Sequence, residues 1–171
     1  MTFRRIVTGH NAAGRSIVIS DGPSTNTVGS LVNFWSVDAV PAPLDAPDPT
    51  TGEPLGLHPP PGGVTFRFFQ LPPMKDFAHL SRDELWAAAR ERFKAMGAED
   101  ALVDTTRHPA MHVTRTVDYI VLLSGQVTLL LDEADVSMQP FDVVIQRGTN
   151  HAWANTGDET ATTMAVLVDG R

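Results

Sequence analysis

Residues 112–126 read HVTRTVDYIVLLSGQ and residues 146–155 read QRGTNHAWAN. Both segments consist of short runs of β-prone residues interrupted by turn-forming residues, which is typical of short antiparallel strands. Two histidines and one carboxylate, His112, Asp118 and His151, lie within these segments. If the strands bring the three side chains together, they form a metal site with open coordination positions. If they do not, the strands form a barrel with a pocket and no metal chemistry.

Strand patterns extend over most of the chain, because runs rich in β-branched and aromatic residues alternate with turn residues. The predicted strands are residues 3–8, 15–20, 31–37, 64–71, 118–123, 126–131, 136–139, 143–146, 152–155 and 162–168. Regular short strands separated by turns indicate an all-β fold, either a barrel or a double-sheet jelly roll.

One amphipathic helix interrupts this pattern. Ser81 and Glu84 have the spacing of a capping box at a helix N-terminus. The apolar residues that follow recur at helical spacing as far as Met96, and Gly97 is placed to end the helix. Trp86 on this helix is expected to pack rather than to serve a site.

The 171 residues fit a single domain. We divide it into N-terminal strands (1–38), a proline-rich loop (39–63), a strand plus the helix (64–105) and the part that carries the barrel motifs (106–171). Prolines cannot donate to a sheet ladder, so the loop is irregular. It is either a connector that wraps the surface, which we favour, or a functional lid.

Composition excludes several kinds of function. The net charge of −7 disfavours a nucleic-acid partner. The absence of cysteine excludes disulfides, thiolate zinc sites and iron–sulfur clusters. No glycine-rich phosphate loop or Gly-x-Ser-x-Gly elbow occurs, and neither a nucleotide nor a haem is expected. Without a signal peptide or a long apolar run, the chain is expected to be cytoplasmic, with no membrane partner.

The spacing of polar residues resembles that of the cupin family. Cupins carry a first motif of His-x-His followed by Glu and Gly, and a second motif of Pro-x-Gly-x-x-His-x-x-x-Asn. Here His112-Val113-Thr114 precedes Asp118 and Gly125, and Gly148, His151 and Asn155 keep the spacing of the second motif. This chain departs from the family pattern at four positions, which are Thr114 for His, Asp118 for Glu, Phe141 for Gly and Gln146 for Pro.

The resemblance implies a cupin-type double-stranded β-helix, a jelly-roll barrel with an N-terminal β-extension and one helix. It also implies His112, Asp118 and His151 as ligands of a divalent metal, such as Fe, Zn, Mn or Ni. Six residues of extended strand span about 20 Å, so His112 and Asp118 share one ion only if the chain reverses between them. The family pattern places a hairpin there. His108, His10 and His58 are free to join the site but have no supporting spacing.

Strand alternation places Trp153 and Asn155 on the same face as His151, and Thr114 occupies the vacant ligand position, so we expect these three residues to line the pocket. Asp118 likewise shares its face with Ile120. The pocket is then mainly apolar and suits a small organic molecule. The sequence assigns no catalytic residue.

Three functions are compatible with these residues. The leading hypothesis is a metal-dependent enzyme that acts on a small organic substrate as an oxygenase, isomerase, decarboxylase or cyclase. The alternative is a metal-free barrel that binds a small ligand, for example as a sensor, and the third is an assembly module. The N-terminal strands have no evident partner in the second half of the chain, so we predict a homodimer formed through them.

Overall fold

The computed structural model describes residues 2–171, which form eleven β-strands and one α-helix. The strands are β1 (Arg4–His10), β2 (Ser16–Pro23), β3 (Thr27–Val28), β4 (Leu31–Val37), β5 (Val64–Leu71), β6 (Thr116–Ser124), β7 (Val127–Leu131), β8 (Asp135–Met138), β9 (Val143–Arg147), β10 (His151–Asn155) and β11 (Ala161–Asp169). The helix α1 spans Arg82–Ala95, and short 3₁₀ turns lie at Met74–Phe77 and Glu99–Ala101. The predicted strands are all present, with β3 as an addition.

Two antiparallel sheets face each other. The larger has the strand order β3-β4-β5-β11-β6-β9 and the smaller has the order β10-β7-β8. His112 extends the smaller sheet through an isolated bridge to His151. From β9 onward, successive strands alternate between the two sheets. Strands β6 and β9 are neighbours in the larger sheet, although the β7–β8 hairpin lies between them in the sequence. This order is that of a jelly roll, so the predicted all-β architecture with one helix is confirmed.

The inward face of β6 shows how the barrel is filled. Along this strand Thr116, Asp118, Ile120 and Leu122 are buried at every second position, as the period of a strand requires. Leu122 joins an apolar cluster at one end of the barrel. Asp118 lies nearer the other end, where the interior becomes polar. The carboxylate is therefore built into the barrel wall.

Helix α1 closes the polar end of the barrel. The capping box is present, since the Ser81 hydroxyl accepts from the Glu84 backbone N–H and the Glu84 carboxylate accepts from the Ser81 backbone N–H. Gly97 follows the helix with a φ of +64°, the left-handed conformation that glycine adopts most easily. Phe93 and Met96 are buried against the sheets. Among the described residues no helix is long and apolar enough to cross a membrane.

The N-terminal hairpin of β1 and β2 forms a sheet of its own. It packs on the outer face of the larger sheet, where the ring of Phe3 meets Phe34 and Phe68 edge to face. Arg5 forms a two-point ion pair with Asp48 at 2.6 and 2.9 Å. Within residues 2–171 the hairpin pairs with no strand of the second half of the chain, as the sequence predicted.

The proline-rich segment 39–63 is irregular and is attached to the barrel. The Asn26 side chain donates to the carbonyls of Thr50 and Glu53, and Asn33 donates to the carbonyl of Leu55. Leu57 is buried against α1. These contacts favour the connector over the lid, and they bring the end of the segment to the polar cavity.

The departure at Phe141 has a visible backbone consequence. This residue has a φ of +75° and its side chain is 77% exposed. A left-handed conformation is unfavourable for residues with a Cβ, so the backbone at Phe141 is strained.

Candidate functional site

A cavity of about 90 Å³ lies inside the barrel, between the two sheets and α1. Its walls are mostly apolar, with Phe69, Phe93, Met96, Ile120 and Trp153 among them. Its polar wall residues are Ser30, Arg67, Arg92, His112, Thr114, Asp118 and His151. An apolar cavity with a few converging polar groups is the usual form of a small-molecule site.

His112 and His151, called the histidine pair below, are joined twice. Their backbones exchange hydrogen bonds of 2.9 and 3.0 Å, and their ring centroids are 4.2 Å apart. Each Nδ1 lies 2.9 Å from a carbonyl oxygen, that of Ala110 for His112 and that of Thr149 for His151. A carbonyl only accepts, so both Nδ1 atoms carry the proton and each Nε2 keeps its lone pair.

Both histidines are neutral at neutral pH. Burial lowers the pKa of His112 to about 3, helped by the neighbouring His151. Burial also lowers the pKa of His151. The pair therefore presents hydrogen-bond acceptors or metal ligands to the cavity rather than positive charge.

Asp118 is held by a chain of hydroxyl groups. Thr116 donates to the Thr114 hydroxyl at 2.7 Å, and Thr114 in turn donates to Oδ2 of Asp118 across 3.5 Å. Oδ1 of Asp118 is buried and has no protein partner among the described residues. Burial raises the pKa of Asp118 to about 6, against the lowering effects of these hydroxyls and of the Arg67 charge.

Arg67 is a further charged group of the cavity, in addition to Asp118 and Arg92. It lies on β5, is 1% exposed, and donates from Nη2 to the Gly56 carbonyl at 2.8 Å. Its Nε and Nη1 atoms have no protein partner among the described residues. Burial lowers the pKa of Arg67 to about 10, which leaves it positively charged at neutral pH. Arg67 and Asp118, called the charged pair below, influence each other's charge without forming a direct ion pair.

The predicted metal ligands divide into two groups. His112 and His151 adjoin, whereas Asp118 lies on the opposite sheet near the positive charge of Arg67. The chain does bend at Arg115, between Thr114 and Asp118. Even so, across residues 2–171 no three His, Cys, Asp or Glu side chains are grouped so that they could hold one metal ion. The histidine pair fits ligation because its Nδ1 atoms are hydrogen-bonded outward. The arrangement does not fit a three-ligand centre that includes Asp118.

The other candidates from the sequence have distinct positions. Trp153 lines the cavity beside His151, at 5.7 Å between ring centroids. Asn155 is buried but does not line the cavity. Its side chain donates to the backbone carbonyls of Leu71 and Glu159. His108 accepts from the Ala110 backbone N–H and is not part of the cavity wall. His10 and His58 are exposed.

Sequence reasoning missed the cavity residues that precede the motifs, among them Arg67, Arg92, Phe93 and Met96. Helical spacing puts Phe93 and Met96 on the buried face of the helix, but nothing in the sequence places that face against the site. A signal for Arg67 exists in the alternation of β5, where Thr65 and Arg67 are the buried residues. Hydrophobicity alone predicts the opposite, namely that Phe66 and Phe68 of β5 face the interior of the barrel.

Comparison with known proteins gives short or distant similarities. No protein-family model matches the chain. The chain is 46% identical over 46 residues to Phomopsin biosynthesis cluster protein C' of Diaporthe leptostromiformis, a match that covers 26% of this chain and 24% of that protein. The chain thus spans about a quarter of the length of this curated relative.

Two solved structures of cupins are similar to the chain. A cupin 2 conserved barrel domain protein from Salinispora arenicola has 16% identity and a TM-score of 0.39, over 62% of this chain and 63% of that one. Rru_A2000 from Rhodospirillum rubrum, a cupin-2 domain, has 13% identity and a TM-score of 0.39, over 63% of this chain and 52% of that one. The strand order of the two sheets is that of a jelly roll, so the jelly-roll barrel predicted from the sequence is confirmed.

Proposed function

We propose that this chain is a cupin-type enzyme that transforms a small organic molecule inside the barrel cavity. The observation that carries the proposal is Asp118, whose Oδ1 is buried, has no protein partner among the described residues, and belongs to a carboxyl group of the cavity wall. Its pKa of about 6 is close to neutral pH. A carboxyl group poised in this way is suited to general acid–base catalysis.

The surrounding residues assign a role to each part of the cavity. Asp118 takes a proton from the substrate or returns one at Oδ1, while the Thr114 hydroxyl lies 3.5 Å from Oδ2. The neutral Nε2 atoms of the histidine pair accept hydrogen bonds from the substrate. Apolar walls such as Trp153 and Ile120 exclude water and strengthen these polar contacts. Proton transfer of this kind serves isomerisation, decarboxylation or cyclisation.

The test is proton exchange in heavy water. The protein is incubated in D₂O with a panel of small organic acids and their uncharged amides, and deuterium incorporation and product formation are followed by NMR. We expect the wild type to exchange or convert at least one compound, and Asp118→Asn to be slower by a factor of about 10² to 10⁴. If compounds bind but neither exchange nor react, the metal-free binding or sensor function replaces this proposal.

Metal binding by His112, Asp118 and His151 stays a prediction. Held by the histidine pair, which fits ligation, a divalent ion such as Fe, Zn, Mn or Ni would act as a Lewis acid toward a substrate oxygen. Metal analysis of protein purified without an affinity tag tests it, with His151→Gln and Asp118→Ala compared with the wild type. Loss of metal in both variants supports the three-ligand prediction. Loss in His151→Gln alone supports binding by the histidine pair without Asp118, and no metal in the wild type contradicts metal binding.

We also propose a homodimer formed through the N-terminal strands. The β1–β2 hairpin leaves its outer strand edges unpaired within the described residues and exposes Ile6, Val18 and Ile19 by 52–58%. Exposed apolar strands of this kind favour association. Light scattering at micromolar concentration should give twice the chain mass for the wild type and for Leu44→Lys, a fully exposed control. Ile19→Lys should be monomeric, and a monomeric wild type would contradict the proposal.

A further inference from the structure

The side chain of Arg67 is buried in the cavity wall and keeps hydrogen-bond donors without a protein partner among the described residues. It is 1% exposed, lines the cavity, and uses Nη2 for the Gly56 carbonyl. Donors remain on Nε and Nη1, and both atoms lack a protein partner within residues 2–171. Leaving buried donors of a guanidinium unpaired is costly, so their presence in a cavity wall indicates an acceptor supplied from outside the chain.

The chemistry of the cavity selects among acceptors. A planar guanidinium matches a carboxylate or a phosphate better than a neutral carbonyl, because charge-assisted hydrogen bonds are stronger. A phosphate dianion would add two negative charges near Asp118, whereas a carboxylate adds one and leaves the cavity closer to neutral. The walls formed by Phe69, Ile120 and Trp153 suit an apolar body.

We propose that the ligand is a small organic carboxylate whose charged end accepts hydrogen bonds from Arg67 and whose apolar body lies against Trp153. Oδ1 of Asp118 then faces the part of the molecule that carries a hydroxyl, an amine or an acidic C–H group. This inference rests on the proposed function, since both place the ligand in the same cavity, and it adds the substrate class and the residue that recognises it.

The experiment compares matched acids and amides. Benzoate with benzamide and mandelate with mandelamide are titrated calorimetrically into the wild type, Arg67→Gln and Arg90→Gln, with inorganic phosphate as a further probe. Arg90 is an exposed arginine of α1 outside the cavity wall and controls for loss of one positive charge. We expect each acid to bind the wild type and Arg90→Gln at least about tenfold more tightly than its amide, and Arg67→Gln to lose this preference.

Equal binding of acid and amide by the wild type overturns the inference, and so does phosphate binding in the absence of carboxylate binding or a failure of every acid to bind. These outcomes need no variant. If Arg67→Gln does not fold, Arg67→Lys keeps the charge without the planar fork, and we expect it to weaken acid binding severalfold. Acid binding through Arg67 without deuterium exchange refutes the proposed enzyme and leaves this inference standing. Turnover of an uncharged compound alone refutes the inference and leaves the enzyme standing.

Discussion

The two polar groups that face each other in the cavity differ in how completely the fold satisfies them. In the histidine pair, each Nδ1 has a carbonyl partner and the two backbones bond to each other. In the charged pair, Nε and Nη1 of Arg67 and Oδ1 of Asp118 have no protein partner among the described residues. The Nδ1 atoms of the histidine pair are thus satisfied by the barrel itself, whereas the charged pair keeps buried atoms that we propose a ligand completes.

The same difference predicts opposite responses to pH. A buried base with a lowered pKa carries no penalty above its unfolded pKa, and a penalty grows as pH falls toward the folded value. A buried acid with a raised pKa does the reverse, since its penalty is present at high pH and disappears when the acid is protonated. Substitutions at the two pairs should therefore change the pH dependence of stability with opposite signs.

The largest effect is expected for His112→Phe. Phenylalanine keeps a ring beside Phe93, which contacts the imidazole at 4.8 Å between centroids. The pKa of His112 lies at about 3 in the folded state against 6.5 as its ordinary value, so wild-type stability falls as pH drops from 6.5. Between pH 6.5 and pH 4 this residue contributes about 3 kcal/mol of that fall. Urea unfolding of chelator-treated protein at several pH values should show a shallower fall for the variant, and an unchanged slope would contradict the expected contrast between the two pairs.

Asp118→Asn should give the next largest effect, in the opposite direction. The folded pKa of about 6 lies above the ordinary 3.8, so the wild type carries a penalty that is full above pH 6 and absent below about pH 4. Removing the ionisable group should raise the free energy of unfolding by about 2 to 3 kcal/mol at pH 7 and by little at pH 4. Denaturant titration at both pH values measures this, and a variant less stable than the wild type at pH 7 would show that the carboxylate is not penalised.

A smaller effect is expected at the satisfied ion pair outside the barrel, between Asp48 and Arg5. Hydrogen bonds from Arg5, with further ones from Thr50, lower the pKa of Asp48 to about 2. Stability from this pair is present above pH 3.8 and is lost as pH falls toward 2. Asp48→Asn should cost about 1 to 2 kcal/mol at pH 7 after allowance for partial exposure. Thermal unfolding at pH 7 and pH 2.5 measures the difference in stability between Asp48→Asn and the wild type. This difference should be smaller at pH 2.5, and an equal difference at both pH values would contradict the prediction.

The strands and the helix were predictable because each depends on local pattern. The capping box of Ser81 and Glu84, the alternation along β6 and the Ser124-Gly125 turn are readable in single segments. The histidine pair was found through motif spacing, which reports on neighbouring strands. These features needed no knowledge of how the first hundred residues pack against the rest.

Arg67 could not be placed in the same way. On β5, Phe66 and Phe68 look like the core residues, yet they face the aromatic cluster beneath the N-terminal hairpin, and the opposite face carries Arg67 into the cavity. Both faces of β5 are covered by other residues. The sequence of the strand does not show which of the two faces points into the barrel. Thr114 was equally hard to interpret, because the sequence did not show that its hydroxyl would lie 3.5 Å from Oδ2 of Asp118.

The backbone bridge between His112 and His151 also has a consequence for folding. The two residues are far apart in the sequence, so their pairing must overcome the entropy of closing a long loop and is one of the non-local contacts of the barrel. The imidazole protons bonded to the Ala110 and Thr149 carbonyls are therefore a built-in reporter. Because His112 and His151 are 9% and 2% exposed, these protons should exchange slowly enough with water to give NMR signals only once the barrel has buried both rings.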